Sequence, residues 1–580
     1  MKAVSIVRRP VPEGSELPAE FHPVLKRVLG SRGVLDAADL DTSLEGLHKT
    51  DSLTGIDAAV ALLEAALVGD RRILIVADFD ADGATSCAVA VRALKSMGAR
   101  QVFYIVPNRF EFGYGLTPPI VELAARDKPD LLITVDNGIS SVDGVAAARR
   151  AGIEVLITDH HLPGMQMPDA NAIVNPNIPG DPFPSKSLAG VGVIFYVMLA
   201  LRKRLRARNW FSNEGLEDPN LATLLDLVAL GTVADVVPLD QNNRRLVAQG
   251  VARIRAGRSQ PGVKALLKIA GRDERKLTSV DLAFAVAPRL NAAGRLADMS
   301  LGIECLIGEN KIECDRMALA LDELNKERRE IESKMKIQAI ALVDEMGIGT
   351  GDDLPLGLCL YDDLWHQGVV GIIASRIKER FHRPVIAFAP VEGGELKGSG
   401  RSIPGVHLRD ALHSVAAKNP GLLEKFGGHA MAAGLTLPAN SFEQFSAAFD
   451  LEIARQLGKE GINPEITTDG ELDDNDFSLA LAEELAEAAP WGQHFPEPLF
   501  DGTFALINKR IVGETHLRMQ LRPVGGTTTV NAIAFGAADE RWARDAEAIH
   551  AAYRLSINEY SGTRSLQMIV EFARAINSAG

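Results

Sequence analysis

Between residues 70 and 175 short apolar runs alternate with segments long enough to be helices: ILIVA (73–77), VFYIV (102–106), LLITV (131–135), EVLIT (154–158) and AIV (172–174). Runs this continuous and β-branched predict a parallel sheet covered on both faces, a doubly wound α/β domain. From Gly308 to Gly347 the 38 intervening residues contain neither Gly nor Pro and are rich in Glu, Lys, Arg, Leu and Ala. As one helix they would run roughly 57 Å; a helical pair broken near Ser333 is the alternative. Residues 350–455 again alternate short strands (GLCLY, PVIAFAP, AAGLTL) with helices and carry several glycine clusters, which predicts a second α/β domain. The period-2 runs FDGTFALINKRIV, LRMQLRPV, TTTVNAIAFGA, HAAYRLSINEY and LQMIVEFA then predict a small β-barrel of the oligonucleotide-binding type. The run Leu188 to Leu201, followed by RKRLRAR, imitates a membrane span with a positive flank. It is shorter than the ~20 residues a span needs and reads as a buried helix with a basic end.

At 580 residues the chain should hold three or four domains. Four cysteines (Cys87, Cys305, Cys314, Cys359), none in a C-x-x-C pair, exclude a disulfide framework and a cysteine zinc site. The stretch MKAVSIVRRPVPEG lacks the apolar run of a signal peptide, so the expectation is a cytoplasmic protein without a membrane anchor. Against 62 Lys and Arg stand 76 Asp and Glu, a net charge of −14, which argues against a protein that holds nucleic acid by sheer basicity. Nine of the acidic residues lie in 465–490, which has no Lys or Arg.

The first apolar run ends in Asp78-Phe79-Asp80-Ala81-Asp82-Gly83, with a helix expected to start near Thr85-Ser86. Three carboxylates at i, i+2 and i+4 project to one side of an extended chain and can bracket two hard cations. The opening matches an EF-hand loop, but that loop needs Glu at its twelfth position, here Val89, and a helix where this chain has a strand. The third run ends in Asp136-Asn137-Gly138, the fourth in Asp159-His160-His161 and the fifth in Asn175-Pro176. In a parallel α/β sheet the carboxyl ends of the strands gather at one crevice, so these residues should converge. A further Asp235 lies in the apolar LGTVADVVPL. Carboxylates with imidazole and no thiolate suit Mn²⁺ or Mg²⁺.

DFDADG, VDNG, TDHH and GTVADVVPL together resemble the four motifs of the DHH phosphoesterase superfamily. LWHQGVVGIIASR, GSGRSIPGVHL and FGGHAMAAGLTL resemble its DHHA1-type accessory domain, and WGQHFPEPLF the lead-in to a third domain. Over residues 45–575 the order and spacing are similar to the bacterial RecJ-type single-strand-specific 5′→3′ DNA exonucleases. Gln493-His494-Phe495 departs from the expected smaller polar residues.

The resemblance implies an N-terminal extension (1–45), a DHH catalytic domain (46–305), a connecting helix (306–348), a DHHA1 domain (349–460), and an acidic linker with an OB-type DNA-binding domain (461–580). It implies that Asp78, Asp80, Asp82, Asp136, His160 and Asp235 surround two divalent cations, Mn²⁺ or Mg²⁺, with Asp136 as bridge. Asp159 would orient a histidine, and His161 would touch the scissile phosphate or leaving oxygen. Arg109, Arg289, Ser399 and Arg401 are the candidates for gripping the terminal phosphate, through guanidinium forks and Gly-rich turns. His366, Gly428 and His429, expected in loops, match the accessory domain's substrate-contacting motifs. The implied reaction is two-metal hydrolysis of single-stranded DNA from the 5′ end to 5′-mononucleotides, in DNA repair and recombination. The implied protein is a monomer partnered by a single-strand-binding protein and a RecQ-type helicase.

Three alternatives carry weight. Superfamily members that hydrolyse short oligonucleotides, cyclic dinucleotides or pyrophosphate lack the barrel, and an inactive replication scaffold would have lost metal carboxylates that this chain keeps. A purely strand-binding module would leave the Asp and His cluster unexplained. Phe504, Trp542, Tyr553 and Tyr560 are options for base stacking, although each suits a barrel core. Setting aside the nine acids of 465–490 and the aspartates 78, 80, 82, 136, 159 and 235 leaves a net charge of +1. The basic run Arg202 to Arg208 reads as a solvated helix end or a DNA-facing patch.

Overall fold

Each of the five apolar runs forms a strand: β1 (Ile73–Ala77), β2 (Val102–Ile105), β3 (Leu131–Val135), β4 (Glu154–Thr158) and β5 (Ala172–Val174). In this computed structural model, which describes residues 4–576 apart from 15–16, 109–110, 347–353, 424, 459–460 and 561–562, they pair in parallel in the order β2-β1-β3-β4-β5. β1 and β3 are buried along their whole length, as a sheet covered on both faces requires. The order reverses between β1 and β3, the topological switch point at which such sheets open a crevice at their carboxyl ends.

Helix α1 (Pro23–Gly30) precedes the sheet, and α2 (Ala81–Ser96) follows β1. The membrane-like run is the buried part of α3 (Gly190–Ala207). Among the described residues no helix is long and apolar enough to cross a membrane. The basic end of α3 carries ion pairs within the domain, as a solvated helix end does. Arg204 and Arg208 pair with Glu64, Arg202 and Arg206 with Asp218, and Lys203 with Asp51. Helices α4 (Leu225–Ala234) and α5 (Ala287–Leu296) complete the surroundings of the crevice.

α6 (Lys311–Glu345) is one unbroken helix of 35 residues, not a broken pair. The chain divides into two compact units within it, one comprising Arg8–Glu323 and Thr467–Gly580, the other Met1–Val7 and Leu324–Ile466. The expected boundary at 348/349 lies outside the described residues.

The second unit is built on a mixed sheet of β6 (Leu358–Tyr361), β7 (Val385–Val391), β8 (Glu395–Arg401), β9 (Lys425–Gly428) and β10 (Ala432–Pro438), ordered β9-β10-β8-β7-β6. Only β6 and β7 pair in parallel. It packs with α7 (Val370–Phe381), α8 (Leu408–Lys418) and α9 (Phe442–Leu457) around a core containing Phe388, Leu412, Phe445 and Phe449. The glycines of GSGR lie in strand β8 rather than in the turn expected. They are there for close packing: a Cβ on Gly398 would lie 2.5 Å from Phe388, and one on Gly400 would lie 2.7 Å from Leu408. The glycines of FGG are likewise in a strand, β9.

Back in the first unit, the acidic segment 465–490 is folded and partly neutralised rather than a free linker. Arg32 and Asp469 form a fully buried pair at 2.8 Å, Arg8 pairs with Glu471, and Glu483, in α10 (Leu479–Glu487), pairs with Arg564. The chain then forms a closed barrel of β11 (Phe500–Val512), β12 (His516–Pro523), β13 (Val530–Ala534), β14 (Ala548–Tyr560) and β15 (Thr563–Ala575), ordered β11-β12-β13-β15-β14. Phe504, Tyr553 and Trp542 are buried and serve as packing residues, not as base-stacking platforms. The side chain of Tyr560 lies outside the described residues. At Gln493-His494-Phe495, His494 takes a left-handed turn (φ 59°) while Phe495 is buried against Trp491.

Candidate active site

β1 delivers Asp78 to the carboxyl edge of the sheet, and the chain then turns at once into α2. The helix begins at Ala81, four residues earlier than the sequence spacing suggests, because Asp80 is a favourable N-cap. Its Oδ1 accepts hydrogen bonds from the Asp82 and Gly83 amides at 2.9 and 3.0 Å. The three carboxylates therefore do not share one side of an extended chain. Asp82 sits in the first helical turn, fully buried, and its oxygens accept from the amides of Gly190 (2.7 Å) and Val191 (2.9 Å) in the first turn of α3. The unsatisfied N–H groups and positive dipole end of α3 thus meet a carboxylate.

Asp136 follows β3 in the left-handed region (φ 61°), an uncommon conformation for a residue other than glycine. The next strand ends in Asp159, whose Oδ1 lies 2.7 Å from His161 Nδ1 and accepts from the amides of both histidines. Its Oδ2 accepts from Ile139 N. The Asn175 and Asn177 side-chain amides donate to the backbone carbonyls of His161 and His160, pinning the histidine pair from β5. Asp235 caps the end of α4. His160 Nε2 lies 3.1 Å from Asp136 Oδ1 and 3.4 Å from Asp235 Oδ2.

The structure therefore brings together Asp78, Asp80, Asp82, Asp136, Asp159, His160, His161 and Asp235. Three sets could each hold an ion, with ligand atoms mutually within 4.8 Å: Asp78, Asp80 and Asp136; Asp82, His160 and Asp235; and Asp136, His160 and His161. Asp136 belongs to two of them. Burial first, and then the charge of neighbouring aspartates, raises the carboxyls of Asp82, Asp136 and Asp235 above their ordinary range. Burial lowers His160, favouring the neutral imidazole that a metal requires. Burial also works against the charges of Asp159 and His161. Their mutual hydrogen bond and attraction outweigh it, holding Asp159 below the carboxylate range and lifting His161 to about 9.

Asp136 Oδ1, His160 Nε2 and Asp235 Oδ2 are buried without a hydrogen-bond partner. Converging, unsatisfied carboxylate and imidazole atoms with no thiolate among them fit a hard divalent cation, which removes the cost of burying like charges together.

Other residues at the crevice carried no clear sequence signal. Tyr114 Oη lies 3.2 Å from His161 Nδ1 and 3.3 Å from the Asp136 carbonyl. Asn291 of α5 accepts from the Ala81 amide at 2.8 Å, and Gly294 lets α5 lie against the Phe79 carbonyl. Asn177 was missed as well, although it stands two residues past the Asn175 that the sequence placed at a strand end.

The remaining site expectations fare differently. Arg109 lies outside the described residues. Arg289 is buried in an ion pair with Asp322, Nη2 to Oδ1 2.7 Å, so its charge is already compensated inside the protein. Ser399, Arg401, His366, Gly428 and His429 all belong to the second unit. Arg401 Nη1 donates to Ser399 Oγ and the Gly400 carbonyl; among the described residues it has no carboxylate partner, and burial lowers its pKa. His366 Nδ1 accepts from Gly368 N ahead of α7. Gly428 is left-handed (φ 138°) at the end of β9, and His429 N donates to the Ala432 carbonyl.

Three family profiles match the chain: the DHH family N-terminal domain over residues 72–232, the DHHA1 domain over 356–455 and the RecJ OB domain over 468–571. The single-stranded-DNA-specific exonuclease RecJ of Dickeya dadantii (strain 3937) is 52% identical over 572 residues, covering 98% of this chain and 99% of the relative. The protein of the same name from Escherichia coli (strain K12) is 52% identical over 569 residues, 98% of each chain. The crystal structure of RecJ in complex with Mn²⁺ from Thermus thermophilus superimposes with a TM-score of 0.81 at 30% identity, covering 100% of this chain and 81% of that one. With a crevice of this make-up, three domain profiles in this order and half of its residues shared along its whole length, the chain belongs to the RecJ family of single-stranded-DNA-specific exonucleases.

Proposed function

We propose that the protein hydrolyses single-stranded DNA from the 5′ end to 5′-mononucleotides, with Asp78, Asp80, Asp82, Asp136, His160 and Asp235 holding two divalent cations, Mn²⁺ or Mg²⁺. The observation that carries this reading is the set of three buried ligand atoms without hydrogen-bond partners, on Asp136, His160 and Asp235, at the switch point of the sheet. A scaffold without catalysis has no reason to keep them. Such cations, when bound, activate water and stabilise the attacking and leaving oxygens of an in-line displacement at phosphorus.

The chain's own side chains supply the rest. Asp159 fixes the His161 ring through Nδ1 and favours its charged form, so the imidazole is oriented to meet the scissile phosphate or the departing oxygen. Arg401 and Ser399 form an anion site in the second unit that takes a DNA phosphate, a role supported by a half-buried guanidinium that has no carboxylate partner among the described residues.

On the barrel, Arg510 and Arg518 stand directly opposite each other on β11 and β12. With Lys509, Gln520 and Asn531 they line a groove of about 200 Å³. Like charges in facing positions are unfavourable alone and are relieved by a phosphodiester backbone. The same reading places the enzyme in the cytoplasm as a monomer serving DNA repair and recombination, with a single-strand-binding protein and a RecQ-type helicase as partners.

The test is to incubate 5′- and 3′-labelled single-stranded and duplex DNA with Mn²⁺ or Mg²⁺, alongside Asp80→Ala and Asp136→Ala, with a dinucleotide and pyrophosphate as competing substrates. Release of 5′-mononucleotides from the 5′ end of single strands, lost in both variants, is expected. Endonucleolytic fragments, 3′-first loss or undiminished variants reject the reading.

A further inference from the structure

Three large apolar side chains stand in water beside the carboxylate and imidazole cluster: Tyr114 (49% exposed), Leu162 (57%) and Val236 (61%). Each is tied to the crevice. The Tyr114 hydroxyl lies between the two ring nitrogens of His161, at 3.2 and 3.3 Å, and its ring meets Phe79 and His161 edge to face. Leu162 directly follows His161. Val236 directly follows Asp235, whose Oδ2 is 3.4 Å from His160 Nε2. The His160 and His161 rings are themselves in contact, with centroids 4.5 Å apart; Tyr114 touches this pair, while Leu162 and Val236 are the exposed residues next in sequence to His161 and to His160's neighbour Asp235.

Val236 is the most telling of the three. It has φ 62°, and among the described residues it is the only β-branched residue in the left-handed region. Such a residue is disfavoured there, where Gly or Asn would sit without strain. Neither backbone preference nor burial accounts for a valine at this position, and strain of this kind gathers at working sites. Holding two cations and a phosphate gives no use for an apolar border, whereas an unpaired nucleobase, which presents an apolar π-face, has one.

We propose that Tyr114, Leu162 and Val236 form a collar that receives the unstacked 5′-terminal nucleobase of the strand being cut. The proposal rests on the exonuclease reading above and extends it to what selects the substrate. A base in a duplex end is stacked and paired, so it offers the collar no free face until it is unstacked. Apolar contact with a π-face does not distinguish one base from another, so the collar admits any sequence.

The experiment compares two 5′-phosphorylated single-stranded oligonucleotides, one with an ordinary 5′-terminal nucleotide and one with a tetrahydrofuran abasic residue there. The enzymes are the unaltered protein and the double variant Leu162→Gln, Val236→Asn, with Val68→Gln, a change at an exposed valine that ends the helix Ile56–Val68, as control. Asn relaxes the backbone at 236, so a purely structural valine leaves activity intact when replaced. The unaltered protein should show a KM about tenfold higher for the abasic strand, with kcat changed by less than about threefold, as expected for lost binding shared by ground and transition states. The double variant should show the raised KM on both strands, and the control should match the unaltered protein. Equal KM values for the two strands with the unaltered protein, or an unchanged abasic penalty in the double variant, overturn the collar while the exonuclease reading stands. Failure of the unaltered protein to release 5′-nucleotides from either strand overturns both.

Discussion

Gly190→Ala is the sharpest probe of the site, because the first turn of α3 and Asp136 approach each other across a gap that only glycine leaves open. An added Cβ would lie 2.5 Å from Asp136 Oδ1 and 2.7 Å from its Cβ and Cγ, where ordinary contact begins at 3.4 Å. One partner must therefore retreat by 0.7 to 0.9 Å. Asp136 has little room: it is buried, held at φ 61°, and its amide donates to the Thr158 carbonyl at 3.0 Å. Nor is α3 free to move, since the Gly190 amide is bonded to Asp82. A displacement near 1 Å in reacting geometry costs about 100-fold in rate, and overpacking of a tight interior costs about 1–3 kcal/mol.

We expect kcat/KM for a 5′-labelled single strand in saturating Mn²⁺ to fall about 100-fold in Gly190→Ala, with stability to urea reduced by no more than about 3 kcal/mol. Gly192→Ala, two residues along the same helix, is the matched control. Its Cβ would meet Leu188 at 2.5 Å, a side chain that is not part of the site. It should lose stability to a similar degree while keeping activity within about threefold. If Gly190→Ala retains activity within about fivefold, or Gly192→Ala loses as much, the close approach to Asp136 is not what positions the ligand set.

Three further outcomes follow from the charges. Because Asp82, Asp136 and Asp235 have raised pKa values in the folded protein, the folded state binds more protons than the unfolded one above about pH 4, so without metal their contribution to stability falls as pH rises. Chelation should therefore lower the melting temperature more at pH 8 than at pH 5, and equal shifts would count against the ligand set. Arg32→Ala leaves Asp469 buried without its main partner and should cost about 3 kcal/mol in chemical denaturation; a loss below about 1 kcal/mol contradicts a buried pair. Glu452, buried and bonded to Lys418 and Arg455, has its carboxyl held at about 2. It contributes stability above its unfolded value near 4.5 that is lost as pH falls through about 2. Glu452→Gln should thus flatten the decline of the melting temperature across that window, and an unchanged acid limb refutes the pairing.

The strands of the catalytic sheet were legible because a sheet buried on both faces needs uninterrupted β-branched runs, and ILIVA, LLITV and EVLIT have no competing periodicity. The site was legible for the same reason: once the strands are parallel, Asp78, Asp136 and the Asp159-His160-His161 run must share one edge. The start of α2 was misplaced because alternating carboxylates look extended, whereas the capping strength of Asp80 acts locally to begin the helix at Ala81. Arg289 and the run from Arg202 to Arg208 show the limit for charge. A guanidinium looks the same in sequence whether it faces DNA or an internal carboxylate, and the partner of Arg204 is 140 residues away.

By itself, then, the sequence determined the parallel sheet, the barrel, the long helix and the identity of the clustered Asp and His residues, all of which depend on local pattern and on the ordering of strand ends. Tertiary structure alone decided which of those atoms are left unsatisfied, which arginines are already paired, that Gly190 must be glycine, and that Tyr114, Leu162 and Val236 stay exposed. Those properties arise from contacts between segments tens to hundreds of residues apart, where burial and excluded volume act and no local pattern records them.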